Sequence, residues 1–336
     1  MKVLVAGGAG YIGSHVVFEL IRDGHEVVVY DNLSTGRRSA VPEGVRFIEG
    51  DIRDLDATTR ALAQGTSSGS FDVALHFAAK LVVPESVSNP LAYYHNNVEG
   101  LRTMLEAMVK TNVRTIVFSS TAAVYGEPDK SHNGECLEGD LTVPINPYGE
   151  TKLAAEKMIQ WVAQAHDMNY CILRYFNVAG ADASLRIGLD KDQLTHLIPL
   201  IMQTALGLRE KLQIYGNDYD TIDGTCVRDY IHVSDLARAH ILGAKYILDN
   251  DRSVLCNLGS GQGFSVKQVV DAALKMFEFA YEYAPRRDGD PAKLIANNQR
   301  AQELLGWQPQ LSLEQMLSSD FAYRQKISTS SHGEPA

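Results

Sequence analysis

The chain contains no run of about 18 apolar residues, the length a helix needs to cross a bilayer, and no basic, apolar leader ahead of Lys2-Val3. A spanning anchor and an exported precursor are set aside, and a cytoplasmic protein with no membrane partner is expected. Positive charge is also scarce: 31 Lys and Arg stand against 41 Asp and Glu, a net charge of -10. Nucleic acid and anionic lipid surfaces are excluded as main partners, although a few local arginines can still meet a small anion. Cysteines are few as well. Cys136, Cys171, Cys226 and Cys256 lie far apart, form no Cys-x-x-Cys spacing and accompany no His-x-x-x-His pair, so reduced thiols and no metal are expected. No internal repeat is found. What is present is ordinary globular composition, 45% hydrophobic and 21% charged over 336 residues, enough for one large or two modest domains.

Short apolar, β-branched runs recur at Val3-Ala6, Val27-Tyr30, Val45-Ile48, Val73-Phe77, Thr115-Phe118 and Cys171-Leu173, separated by segments of helical period near 11–23, 54–64, 90–111 and 147–167. That alternation predicts an α/β fold, a doubly wound parallel sheet of the Rossmann type. Asn146 and Pro147 read as the cap and first turn of the last helix. In 90–111 the residues Leu91, Tyr94, Val98, Leu101, Leu105 and Met108 follow three-four spacing and are expected to pack on the protein's own sheet. Past about residue 176 the alternation breaks into glycine-rich, aromatic-bearing stretches with helices near 192–207, 265–278 and 313–324. The expected division is a cofactor domain, 1–176 with a returning segment at about 227–256, and a smaller, discontinuous α/β lobe at 177–226 and 257–326. Residues 327–336 read as a tail.

The first strand runs into Gly7-Gly8-Ala9-Gly10-Tyr11-Ile12-Gly13 and then a helix, which satisfies the G-x-G-x-x-G pattern in its proper strand-turn-helix setting. Such glycines let the backbone approach a pyrophosphate, whose charge meets free N–H groups and the positive end of the helix dipole. Asp31 ends the second strand, where a carboxylate accepts hydrogen bonds from a ribose and repels a 2′-phosphate, so NAD is expected rather than NADP. Arg37 and Arg38 lie past the turn Asn32-Leu33-Ser34-Thr35-Gly36 and read as surface charges. Asp51-Ile52 and Phe77-Ala78-Ala79 reach the carboxyl edge of the sheet, as ligand contacts or simply as strand ends.

Tyr148 and Lys152 stand one turn apart at the start of a helix, on one face. Alone they read as a surface pair; behind a dinucleotide turn they read as a phenol base and the ammonium that favours its phenolate. Two unit charges about 4 Å apart at an effective dielectric of about 20 attract by about 4 kcal/mol, enough to draw a phenol's titration toward neutrality.

The glycine turn, Asp31-Asn32, Ser119-Ser120-Thr121 and Tyr148-x-x-x-Lys152 together resemble the extended short-chain dehydrogenase/reductase family. Its nucleotide-sugar epimerase branch is matched through His76-Phe77-Ala78-Ala79, Asn96-Asn97-Val98, Arg174-Tyr175-Phe176-Asn177, Gly216-Asn217-Asp218-Tyr219, Val227-Arg228-Asp229-Tyr230-Ile231-His232 and Ala284-Pro285-Arg286-Arg287-x-Gly289-Asp290. The resemblance spans nearly the whole chain and implies NAD held by Gly7, Gly10, Tyr11, Ile12, Gly13, Asp31, Asn32, Ser34, Thr35, Gly36, Asp51, Ile52, Phe77, Ala78, Ala79, Asn96, Ser119, Tyr148, Lys152, Tyr175 and Phe176. It implies a UDP-hexose held by Thr121, Tyr148, Asn177, His196, Leu197, Gln213, Tyr215, Arg228, Arg287, Asp290 and Leu294. Thr121 and Tyr148 would bond the sugar's 4-hydroxyl, Tyr148 would take its proton, and Lys152 would hold the nicotinamide ribose. Hydride would leave C4 for NAD and return to the other face, interconverting UDP-galactose and UDP-glucose. A homodimer through the helices near 90–111 and 147–167 is also implied.

The pattern departs in places. A lysine that some relatives carry near the cofactor falls here on Val82 or Leu81, so Lys80 is left out of the site, and Thr195-His196 replaces an asparagine pair. Leu294 stands where a bulky aromatic or a small residue governs entry of an N-acetyl group, so other UDP-sugars stay open as alternatives. Dehydration of the sugar would need an acid directly after Thr121, where Ala122-Ala123 stand. A non-catalytic NAD sensor would not need Thr121, Tyr148 and Lys152 together, and a simple dehydrogenase would release NADH.

Overall fold

The computed structural model describes residues 1–190, 194–287 and 290–331. Its centre is a seven-stranded sheet in the order Val254–Leu258, Asn169–Tyr175, Thr115–Ser119, Val73–His76, Lys2–Ala6, Glu26–Asp31, Arg46–Glu49, every pair parallel. Val3, Leu4, Val5 and Ala6 are wholly buried, as befits a strand covered on both faces. One apolar layer gathers the helices Tyr11–Arg22, Val233–Asn250 and Gln299–Leu305, and the other gathers Leu55–Gln64, Gly100–Thr111 and Pro147–His166. The first strand lies between the second and fourth, so strand order reverses beside it and a crevice opens at the carboxyl ends. The glycine turn stands in that crevice.

The predicted single helix over 90–111 is interrupted. Pro90–Tyr93 is α-helical, Tyr94–Glu99 forms a wider π-helical turn, and Gly100–Thr111 resumes the α-helix. The wide turn changes which face looks inward: Leu101, Leu105 and Met108 are buried on the sheet as expected, whereas Leu91 is 80% exposed and Tyr94 also faces out.

A smaller lobe is built on a four-stranded sheet in the order Phe264–Ser265, Val227–Arg228, Lys293–Ala296, Glu135–Cys136. Two strand pairs extend it, Asn177–Ala179 with Tyr230–His232 and Leu212–Tyr215 with Tyr281–Ala284. Leu197–Ala205, Val266–Leu274 and Leu313–Ser331 pack around its core at Ile198, Ile201, Val269, Val270 and Leu317. Several predicted boundaries move. The helix placed at 192–207 begins at Leu197, with 191–193 outside the described residues, and the helix placed at 313–324 continues to Ser331, into the predicted tail. Residues 332–336 lie outside the description. The returning segment rejoins the large sheet's layer at Val233 rather than Val227, because Val227–Arg228 pairs with the smaller lobe. It then supplies Val254–Leu258, an edge strand absent from the predicted set. No helix among the described residues is long and apolar enough to cross a membrane, and no cluster of His, Cys, Asp and Glu there is suited to a metal.

Candidate active site

Glycine is required in the first turn by contact as well as by conformation. Gly7 has φ +82°, and a Cβ on it would stand 2.5 Å from the Ala78 nitrogen; one on Gly13 would stand 2.2 Å from the Gly7 carbonyl oxygen. The turn is therefore locked against the fourth strand's exit and against its own helix. That helix starts at Tyr11 with Gly10 as cap and no side chain bonded to its first N–H groups, which suits a pyrophosphate. Ile12 packs into the core. The Tyr11 ring turns away from the loop, its hydroxyl donating to the Gly180 carbonyl at 2.6 Å.

Asp31 is buried and accepts from the N–H groups of Ala9 at 3.0 Å and Leu33 at 2.8 Å. Burial raises its pKa against those two bonds. Asn32 donates to Asp51 at 3.0 Å and accepts from the Ser34 N–H, and Arg53 holds the Asp51 carboxyl well below the usual range. Ser34 and Thr35 are exposed at the rim, while Gly36 lies so close to Ala9 that a Cβ would come within 2.7 Å of its carbonyl carbon. Ile52 is buried. Beyond the fourth strand, Phe77 packs 4.8 Å from the ring of buried His240, and Ala78 and Ala79 follow half-buried. Asn96 donates to Asn97, and Asn97, which the sequence reading did not single out for a role, does the bridging. It accepts from the Lys80 N–H at 2.8 Å and donates to the Lys80 carbonyl and the Thr151 hydroxyl, each at 3.0 Å. The Lys80 ammonium pairs with Glu85 at 2.9 Å.

Tyr148 and Lys152 are both buried on one face of Pro147–His166, which opens with the Asn146 side chain accepting from the Gly149 N–H at 2.9 Å. Thr121 lies two residues past the fifth strand as the cap of a short turn, its hydroxyl accepting from the Ala123 N–H at 3.2 Å, and its side chain acts to lower the pKa of Tyr148. Lys152 donates to the Ser119 carbonyl at 2.7 Å and lies 4.8 Å over the Phe118 ring. The Ser119 hydroxyl bonds the Tyr175 hydroxyl at 2.7 Å. Five predicted residues, Ser119, Thr121, Tyr148, Lys152 and Tyr175, thus share one buried cluster. Burial dominates the electrostatics of the phenol and the ammonium in this cluster. Burial pushes Tyr148 up to about 12, opposed by the Thr121 bond, and burial lowers Lys152 to about 7 against the pull of Glu156. Taking each group out of water disfavours its charged form.

In the smaller lobe, Asn177 donates to the Asp229 carbonyl at 2.9 Å, and Arg228 pairs with Asp290 at 3.2 Å. Leu294 stands in register beside Arg228 and packs in the cluster that holds Phe176. Arg287 lies 3.9 Å over the Tyr215 ring, and Tyr215 donates to Gln213 at 2.9 Å. His196 is exposed at the start of Leu197–Ala205, and Leu197 packs against that lobe's core. Gly289 lies outside the described residues. Two more residues carry the site without having been picked out: Thr151, and Glu156, one turn beyond Lys152, whose i+4 spacing was there to be read.

The model of the NAD dependent epimerase/dehydratase family matches residues 3–259. The UDP-glucose 4-epimerase of Halalkalibacterium halodurans is 49% identical over 320 residues, 94% of this chain and 93% of that protein. A Stenotrophomonas maltophila UDP-glucose-4-epimerase solved with bound NAD and formylated UDP-arabinopyranose superposes with a TM-score of 0.93 at 39% identity, covering 98% of this chain and 99% of the other. A UDP-glucose 4-epimerase from Bifidobacterium longum, in complex with NAD+ and UDP, gives a TM-score of 0.89 at 36% identity over 98% and 99% of the two chains.

Proposed function

The chain belongs to the NAD dependent epimerase/dehydratase family, and we infer from that membership that it interconverts UDP-galactose and UDP-glucose by inverting C4. NAD is its cofactor. The observation that carries the reading is the buried cluster of Thr121, Tyr148 and Lys152 on the carboxyl side of the sheet that presents the glycine turn. The turn fits NAD: Gly7 and Gly13 leave no room for a Cβ, its helix start is uncapped, and Asp31 stands where a ribose would be bonded. When bound, NAD supplies the hydride acceptor and donor, and its positive nicotinamide joins Lys152 in favouring the phenolate.

The chain's own residues do the rest. Tyr148 takes the proton of the 4-hydroxyl as hydride leaves C4, and the Thr121 hydroxyl orients both. Lys152, fixed by the Ser119 carbonyl, holds the nicotinamide ribose. Arg228 and Arg287 would grip the diphosphate, so that a 4-keto sugar stays tethered while it turns over. Asn177, Gln213, Tyr215, Asp290 and Leu294 line the sugar nucleotide, with His196 and Leu197 at its edge. The large sheet and its layers serve the cofactor, and the smaller lobe serves the substrate.

We also propose a homodimer through the helices near 90–111 and 147–167, supported by Leu91 at 80% and Trp161 at 71% exposure. The test of function is direct. Purified protein is incubated with UDP-galactose and no added NAD, and the nucleotide sugars are separated. UDP-glucose is expected; none would remove the assignment.

A further inference from the structure

Glu156 is 1% exposed and its partner Arg174 5%. A carboxylate in such a place needs every oxygen bonded, and this one has that: Arg174 donates to it through Nε at 3.0 Å and Nη2 at 2.6 Å, and the Ser120 hydroxyl donates as well. The guanidinium in turn lies 4.9 Å from the Tyr125 ring centre, and the Tyr125 hydroxyl donates to Asn257 at 2.7 Å. Taking two ions out of water is costly, and an apolar pair of equal volume often packs as well or better, so stability alone is a weak reason for this arrangement. Its position offers another reason. Glu156 is one turn beyond Lys152 and two beyond Tyr148, Ser120 directly precedes Thr121, and Arg174 directly precedes Tyr175. The ion pair joins the three segments that present the reacting groups.

We propose that Glu156, clamped by Arg174 and Ser120, is the positioning residue of the reacting cluster: it fixes the strand end that carries Thr121 against the helix that carries Tyr148, and it sustains the ammonium of Lys152. This rests on the functional reading above. The ammonium is met by Glu156 from its own helix, through charge, and by the Ser119 carbonyl and Phe118 ring from the fifth strand, while Tyr148 lies one turn back on the same helix face. His76 faces it from the fourth strand, and Arg174 and Tyr175 belong to the strand Asn169–Tyr175. His76 is buried and held neutral, its pKa lowered to about 3, so it adds no charge near neutrality. The charge that favours the ammonium against its burial is then Glu156, and Arg174 is paired with Glu156 itself.

The experiment uses the NAD-loaded enzyme. In Glu156→Gln, the rising limb of kcat against pH and the ultraviolet titration of the Tyr148 phenolate, read as the difference from Tyr148→Phe, are both expected to move about one pH unit upward. KM for UDP-galactose is expected to stay within about twofold. A purely structural role would lower kcat by the same factor at every pH and leave both titrations in place, and that result overturns the proposal. Should Glu156→Gln fail to fold with Arg174 left unpaired, the double variant Glu156→Gln/Arg174→Met removes both charges and is expected to show an upward shift smaller than the single variant's, because the opposing guanidinium leaves with the carboxylate; unmoved titrations there overturn it equally. The phenolate titration needs no turnover, so a shift in a protein that does not interconvert the sugars would sustain this inference while removing the functional one.

Discussion

The two lobes hold their ligand groups by different means. In the larger one the frame is backbone: Gly7 and Gly13 stand where a side chain would strike a main-chain atom, and the Asp31 carboxylate is fastened by the N–H groups of Leu33, two residues on, and of Ala9 in the glycine turn. In the smaller one the frame is side chain. Asp229, fully buried, accepts from the N–H groups of Ser260 at 2.7 Å, Gly261 at 3.0 Å and Ala296 at 3.1 Å, tying together segments far apart in the chain. A backbone frame tolerates almost no change in residue size but is indifferent to distant sequence. A side-chain frame can be retuned through one carboxylate, which suits the lobe that has to distinguish one sugar nucleotide from another.

Separating frame from chemistry gives the largest expected effect. Tyr148→Phe should retain NAD through purification while kcat falls by about 10²–10⁴, the usual worth of a positioned base, measured by turnover of UDP-galactose. Near-parental turnover would take the proton step away from the phenol. Gly13→Ala attacks the backbone frame itself: with a Cβ 2.2 Å from the Gly7 oxygen, a loss of about 3 kcal/mol of stability and of bound NAD is expected from denaturation curves and cofactor content. A variant purified with one NAD per chain would show that the turn can give.

Acid tests the same lobe. His15, His76 and His240 are buried there with pKa values lowered by burial to about 4, 3 and 4. The folded state binds fewer protons than the unfolded one, so their contribution is complete above about pH 6.5 and is lost as pH falls toward the folded values. Roughly 3 kcal/mol should disappear between pH 6.5 and 5.5 in chemical denaturation, with raised carboxylates such as Asp31 and Asp229 working the opposite way at lower pH. Flat stability across that interval would contradict the burial of these rings. The smallest effect is expected in the other lobe: Asp229→Asn weakens bonds to three N–H groups, costing about 1–2 kcal/mol and raising KM for the sugar nucleotide with NAD content unchanged. Loss of NAD in that variant would mean the two frames are not separable.

The same contrast explains what could be read from sequence. The glycine turn, Asp31 and the Tyr148–Lys152 pair follow from spacing within one element or one βαβ unit, where period and backbone geometry decide position. The parallel order of the first strands was legible for the same reason. Asn177, Arg228, Arg287 and Asp290 came only through family likeness, because no local period connects them. Val254–Leu258 escaped because an edge strand following a long helix carries little alternation, and the burial of Tyr148 and Lys152 was not legible because spacing gives the distance between charges but not how much water has been removed from around them.

The wide turn at Tyr94–Glu99 leaves one last consequence. An α-helix of fixed pitch would commit every apolar residue from Leu91 to Met108 to the same neighbour. By slipping the phase midway, the rod acts as a vernier: its far end stays geared to the sheet while its near end buries Tyr93, whose hydroxyl donates to the Val82 carbonyl, and turns Leu91 and Tyr94 outward. Substitutions at Leu91 or Tyr94 can therefore alter what this surface meets without disturbing Leu101, Leu105 and Met108, whereas deleting a single residue from the slipped turn would re-mesh the gears and swing the near end through about a quarter of a revolution.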